Sequence, residues 1–205
     1  MCIAEARSGG HRPRAEHGVS LVELIIFIVV VSIGVAGVVG ALSMATRASA
    51  DPLIQKQALA IAEGLLEEVQ LQPFTYCDPD DPNAASALSA ADCTGGVGGV
   101  NDENRLPLGP ETGEARTSAT TPYDNVSDYN TYQMPAGITD PTGAAIPLLG
   151  GYSARVDIVN QALAPVLASD SLRITVTVNG PGPPGSNTKV VLDGYRMRYA
   201  PNALP

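Results

Sequence analysis

Hydrophobic and polar positions divide the chain into three regimes. From Leu24 to Ala45 no residue carries a charge, a run of about 22 residues that, as a helix, matches the thickness of a bilayer's hydrocarbon core. Beyond Asp51-Pro52 the pattern turns amphipathic. Ile54, Ala58, Ile61, Leu65 and Val69 recur at spacings of three and four, widened by Ala62 and Leu66, while Gln55, Lys56, Glu63, Glu67 and Glu68 fall largely elsewhere. This predicts one long helix whose second half lies on a head domain and stops at Pro73. Asp51-Pro52 has the residues of a helix cap and first turn, which predicts a kink or short break there.

From Pro73 to about Leu149 the residues are mainly Asp, Asn, Gly, Pro and Ser without apolar periodicity, which predicts a surface loop. Alternation then begins. Ala154, Val156 and Ile158 share one face of Tyr152 to Asn160, and Leu172, Ile174, Val176 and Val178 share one face of Leu172 to Asn179. After the turn GPGPPGSN, Thr188 to Tyr199 places Val191, Tyr195, Met197 and Tyr199 on a common face, so the last two strands form an antiparallel hairpin. The fold class is α+β, a long helix packed on a small carboxyl-terminal antiparallel sheet.

Composition narrows the function. The 205 residues have a formal net charge of -9 and no basic cluster beyond the first residues, which argues against nucleic acid or anionic lipid as a partner. With 21 Gly, 17 Pro and 4% aromatic residues, the core is small and aliphatic and needs a staple. The apolar run is too long for the core of a cleaved secretory signal, about 7 to 15 residues. Its apolar character runs all round the helix, which fits a buried core helix poorly. It reads as a membrane helix. Arg7, Arg12 and Arg14 precede it, so its amino terminus stays cytoplasmic and the chain after about residue 46 lies across the inner membrane.

At the mouth of this run stands one acid, Glu23. A carboxylate near a membrane-spanning helix is costly. By itself Glu23 could be a helix amino-terminal acid favoured by the dipole. The surrounding GVSLVEL, Gly18 to Leu24, resembles the class III signal of type IV prepilins: a glycine, a hydrophobic first mature residue and a glutamate at the fifth mature position. The resemblance implies cleavage between Gly18 and Val19 by a cytoplasm-facing prepilin peptidase, N-methylation of Val19, and retention of the apolar helix. It also implies that Glu23 pairs with the terminal amine of a neighbouring subunit in a filament, a contact that gains most where water is excluded. The leader, Met1 to Gly18, is longer than the short leaders of the best-known subclass, with Glu16 and His17 beside the cut. The segments implied are a leader at 1–18, a membrane and filament-core helix at 19–50, an amphipathic half at 51–72, a loop-rich region at 73–149 and strands at 150–205.

Gly34, Gly37 and Gly40 lie on a slowly drifting stripe of the apolar helix. Small residues there allow close helix approach, and glycine is also ordinary in membrane helices. With Cys2 in the leader, Cys77 and Cys93 remain as an even pair. A disulfide between them closes a loop of about 17 residues, worth about 3 kcal/mol by the chain-entropy estimate. Two thiols without a nearby His fall short of a zinc set. CDPDDPN, Cys77 to Asn83, lacks the glycine and distal glutamate of an EF-hand and reads as a solvated turn rather than a calcium loop.

Both histidines, His11 and His17, lie in the leader, which removes Ser-His-Asp, Cys-His and His-metal chemistry from a mature chain. No cofactor and no enzymatic activity are expected. TGGVGGV, Thr94 to Val100, lacks the strand and helix of a phosphate cradle. Asn125-Val126-Ser127 matches a glycosylation acceptor that carries no weight in a bacterial protein. Arg196 and Arg198 share a strand face and read as a solvated edge or subunit contact.

The long helix, the YCDPDDP loop with its cysteine pair and the carboxyl-terminal hairpin resemble, more finely, minor pilins of the mannose-sensitive haemagglutinin type, in particular the MshD-like group. That resemblance implies other pilins, a prepilin peptidase and methylase, and an inner-membrane assembly platform as partners. A minor pseudopilin of a type II secretion system shares the signal and the helix. A single-pass anchored binding protein, in which Glu23 is incidental, is the reading from another class.

Overall fold

The computed structural model describes residues 20–182 and 188–202, with side chains described in that range except at 45–51. The chain forms two compact units, Met1–Ala48 and Ser49–Pro205. The first contributes the start of helix α1, Leu21–Leu71. Its stretch Leu21–Met44 has a mean hydropathy of 2.9 over its most apolar window and none of that window is buried. A helix apolar on every side needs a membrane or protein neighbours to cover it.

Of the kink or short break predicted at Asp51-Pro52, the break is corrected by the structure, since α1 is helical through Pro52. A proline costs the helix about one main-chain bond and a clash with the preceding turn. The turns on either side propagate regardless. The capping role of Asp51 lies outside the described side chains.

In the second unit, four antiparallel strands follow in the order β1-β2-β3-β4: Gln133–Met134, Ser153–Asn160, Ser171–Asn179 and Lys189–Met197. Val156 opposes Val176, and Ile174 opposes Gly194. β3 and β4 are the predicted hairpin. Ala154, Val156 and Ile158 of β2 and Leu172, Ile174, Val176 and Val178 of β3 turn inward and meet Ala58, Ala62, Leu65, Leu66 and Val69 of α1 in one core. The predicted stripe and the predicted strand faces therefore close on each other. This is the expected α+β architecture.

β4 differs from its neighbours. The row Val191, Tyr195, Met197 and Tyr199 faces outward and is 43–76% exposed, while Val190 and Leu192 pack against the core. The inward row continues at Gly194, where a β-carbon would stand 2.6 Å from Gln70 Nε2 and 2.7 Å from Leu66 Cδ1. Absence of a side chain lets the helix lie close to this strand. Gly194→Val drives two methyl groups into Leu66, and the expected loss is about 1–3 kcal/mol of unfolding free energy in denaturant titration. An unchanged midpoint would mean that Leu66 and Gln70 swing aside freely.

Residues 73–149, predicted as surface loop, are irregular yet packed, which is a second correction. Phe74, Leu108, Val126, Tyr129, Met134 and Ile138 join the main core, and Cys77, Ala84, Ala87 and Cys93 form a smaller one. Tyr123, Tyr129 and Tyr132 meet edge to face with centroids 5.1–6.1 Å apart. The backbone turns so often because carboxylates bond the amide two residues on: Asp78 to Asp80, Asp81 to Asn83, Asp102 to Asn104 and Asp140 to Thr142, at 2.6–3.0 Å. Each turn tucks in one or two side chains singly. No period of 2 or 3.6 arises.

Candidate functional site

The first described helical bond runs from the Leu24 amide to the Ser20 carbonyl, 3.0 Å. Glu23 therefore sits in the first turn of α1, exposed, where free amides favour a negative charge. Gly18 and Val19, the predicted cleavage junction, lie outside the described residues. At Gly34, Gly37 and Gly40 nothing stands within 4 Å of where a β-carbon would be.

In the head, a disulfide joins Cys77 and Cys93, with α-carbons 5.3 Å apart. Asp81 organises the loop from inside, and the reading of CDPDDPN as a solvated turn is corrected, since Asp78 and Asp81 are only 7% and 4% exposed. Asp81 accepts bonds from the amides of Asn83 and Thr94 and from Asn101 Nδ2, each 2.8 Å. Burial by itself would raise its pKa, but these donors outweigh burial and hold it below the ordinary value. Asp81 is a structural anchor.

Asp78 belongs to a different environment. With Glu103, Glu111, Glu114, Asp124 and Asp128 it builds one cluster of carboxylates, linked through three overlapping triads: Asp78 with Glu114 and Asp124, Asp78 with Glu103 and Glu111, and Glu111 with Glu114 and Asp128. Within each triad the oxygens lie within 4.8 Å of one another. Among the described residues, no Lys or Arg forms an ion pair with any of the six. Their pKa values are accordingly displaced upward. Burial raises Glu103 well above the carboxylate range, with Asp128 and Glu111 adding repulsion. Burial, then the bond to Glu114, brings Glu111 to about 9. Burial takes Asp128 to about 8 against the opposing amides of Asn125 and Asp124, and takes Asp124 to about 7 with help from Asp78 and Glu114. Asp78 and Glu114 are raised mainly by burial too. Five of these six residues were absent from the sequence reading. The pairs Glu111/Glu114 and Asp124/Asp128 sit at spacings of three and four, but with no helix or motif around them that spacing carries no information.

Two arginines tie irregular segments to the frame. Arg116 grips Glu68 of α1 with two bonds, 2.6 Å and 2.7 Å, and also reaches the carbonyls of Thr139 and Asp140 at 3.3 Å and 3.0 Å. Tyr129 donates its hydroxyl to the same Glu68, 2.9 Å. The reading of Arg198 as a solvated edge is corrected: its side chain is 2% exposed and its guanidinium lies 4.1 Å and 4.4 Å from the ring centroids of Phe74 and Tyr76. Burial lowers its pKa, and Asp170 opposes that from 3.8 Å. Arg196 donates to the Gln72 carbonyl, 3.0 Å, close behind the end of α1. Both arginines fasten the strand end to the segment that follows the helix.

Comparison with known proteins adds one match. Residues 13–39 fit the model described as the prokaryotic N-terminal methylation motif. No curated protein and no solved structure matches the chain significantly. The matched segment contains Gly18, Val19, Glu23 and the first turns of α1, and so supports a type IV pilin or pseudopilin with a class III prepilin signal.

Proposed function

We propose that this chain is a minor pilin of a type IV pilus of the mannose-sensitive haemagglutinin type, which primes or joins an extracellular filament for adhesion or motility. The methylation motif leading into a fully exposed apolar helix supports the coarser reading of a type IV pilin or pseudopilin, and the YCDPDDP loop with its cysteine pair and the carboxyl-terminal hairpin favour the pilin within it. The precursor spans the inner membrane with its amino terminus in the cytoplasm and its head in the periplasm. A prepilin peptidase and methylase cuts between Gly18 and Val19 and methylates Val19, and an assembly platform then moves the subunit into a filament. Exchange of lipid for neighbouring pilin helices keeps Leu21–Met44 covered throughout. Mechanism here is assembly without catalysis.

In the filament Glu23 neutralises the amine of a neighbour's Val19, because an acid shut away from water needs a partner charge. Glu23→Ala leaves processing intact and lowers recovery in sheared filaments about tenfold or more, the effect of losing at least one strong ion pair. Wild-type recovery would reduce Glu23 to a helix-terminal acid. Mass spectrometry of the mature protein must find N-methylated Val19 at its amino terminus; an intact leader overturns the assignment. A minor pseudopilin of a type II secretion system is the second reading, favoured by the same motif. Abundance in the sheared fraction separates it, because a periplasmic piston stays with the cell.

A further inference from the structure

We propose that Asp78, Glu103, Glu111, Glu114, Asp124 and Asp128 form a binding site for a divalent cation of the calcium class. A group of acids by itself is common on protein surfaces. This one differs because three of its members each keep a buried oxygen that no donor satisfies. Glu103, 3% exposed, uses Oε2 to accept from Ser127 and leaves Oε1 unbonded. Asp128, fully buried, accepts the amides of Asp124 and Asn125 on Oδ2 at 3.1 Å and 2.7 Å and leaves Oδ1 unbonded. Glu111 Oε2 is a third such atom. Buried carboxylate oxygens with no donor are rare in folded proteins, and an ion is one of the few things that satisfies several together.

Protons are the rival means of neutralisation. Glu111 and Glu114 can share one, since their carboxyl groups adjoin. At Glu103 Oε1 and Asp128 Oδ1 no donor stands in bonding range, and a proton on either oxygen would serve only that oxygen and one neighbouring acceptor. A cation satisfies every oxygen pointing at it. Ligand number selects among cations: calcium takes six to eight oxygens at about 2.4 Å in a flexible arrangement, which a group of six carboxylates can supply. Magnesium takes a tighter octahedron at about 2.1 Å and prefers to keep its waters, which a set of six clustered carboxylates leaves little room for. The ligands come from four separated stretches of residues 73–149, so a bound ion also cross-links the irregular half of the head.

The full chain in detergent, titrated with calcium chloride after EDTA treatment, tests this. At saturation the thermal midpoint is expected to rise about 5–10 °C, the effect of a ligand at roughly a hundred times its Kd on a domain of this size. Glu103→Gln with Asp128→Asn keeps the bond-accepting oxygens and removes two buried charges. It should melt at or above the wild-type midpoint in EDTA and lose the calcium response. Glu114→Gln, at a half-buried position, should weaken calcium binding at least about tenfold by calorimetry, the cost of losing one direct charged ligand. Absence of a saturable shift in the wild type, an equal shift in the double variant, unchanged affinity in Glu114→Gln, or an equal response to magnesium would each overturn the site.

Discussion

Arg116→Ala is expected to lower the unfolding free energy of the head by about 3–5 kcal/mol, the cost of leaving a buried ionic partner alone. The Arg116 side chain is 4% exposed and that of Glu68 23%, so water reaches the pair poorly from either side. Truncation strands more than Glu68: the carbonyls of Thr139 and Asp140 lose their donor, and Tyr132 loses a guanidinium 5.5 Å from its ring centroid. Burial by itself would lower the Arg116 pKa, and the bonds and charge of Glu68 override it and raise it, so the charge persists at any working pH. Urea titration of the full chain in detergent measures the effect. Arg116→Met combined with Glu68→Gln should recover part of the loss, because two matched neutral groups avoid an unpaired charge while the stranded carbonyls remain. A single-variant loss below about 1 kcal/mol would place the pair with ordinary surface ion pairs.

Replacing both Cys77 and Cys93 by Ser is expected to cost about 3 kcal/mol, the loop-entropy value for a closure of this length. The bridge spans a sequence separation of 16, and the segment it closes buries few apolar side chains, Ala84 and Ala87 beside the cysteines themselves. Apolar burial therefore does little to oppose its unfolded-chain entropy. Reduction of the wild type should reproduce the loss, and reductant should leave the Ser variant unmoved. An equally stable reduced protein would show that Asp81, with its three donors at 2.8 Å, holds the loop without help. The Asn202 side chain, bonded to the carbonyls of Ala84 and Ala87 at 2.9 Å, is a further restraint.

These two contacts differ in how visible they were beforehand. Cysteine parity pointed to the disulfide once Cys2 was assigned to the leader. Nothing joined Arg116 to Glu68, 48 residues apart, because neither belongs to a periodic pattern with the other. The outward face of β4 shows a related limit. Val191, Tyr195, Met197 and Tyr199 are the larger residues and alternate correctly, yet the core took the row containing Gly194, where the helix comes closest. Alternation separates two faces. Which one is buried depends on what packs there.

By itself, the sequence determined the elements whose signals are local. The uncharged run fixed the apolar half of α1, the three-four spacing fixed its buried stripe, and period-two alternation fixed β2 and β3. The reason is geometric: a helix or strand repeats its environment at a constant interval, so burial is written into the chain at that interval. Tertiary structure decided the rest. Asp78, Glu103, Glu111, Glu114, Asp124 and Asp128 look like solvated loop acids one at a time, and only the closing of the irregular segment gathers them and buries Asp78, Glu103 and Asp128. Turns have no interval, and desolvation is a property of the assembled neighbourhood rather than of any stretch of residues.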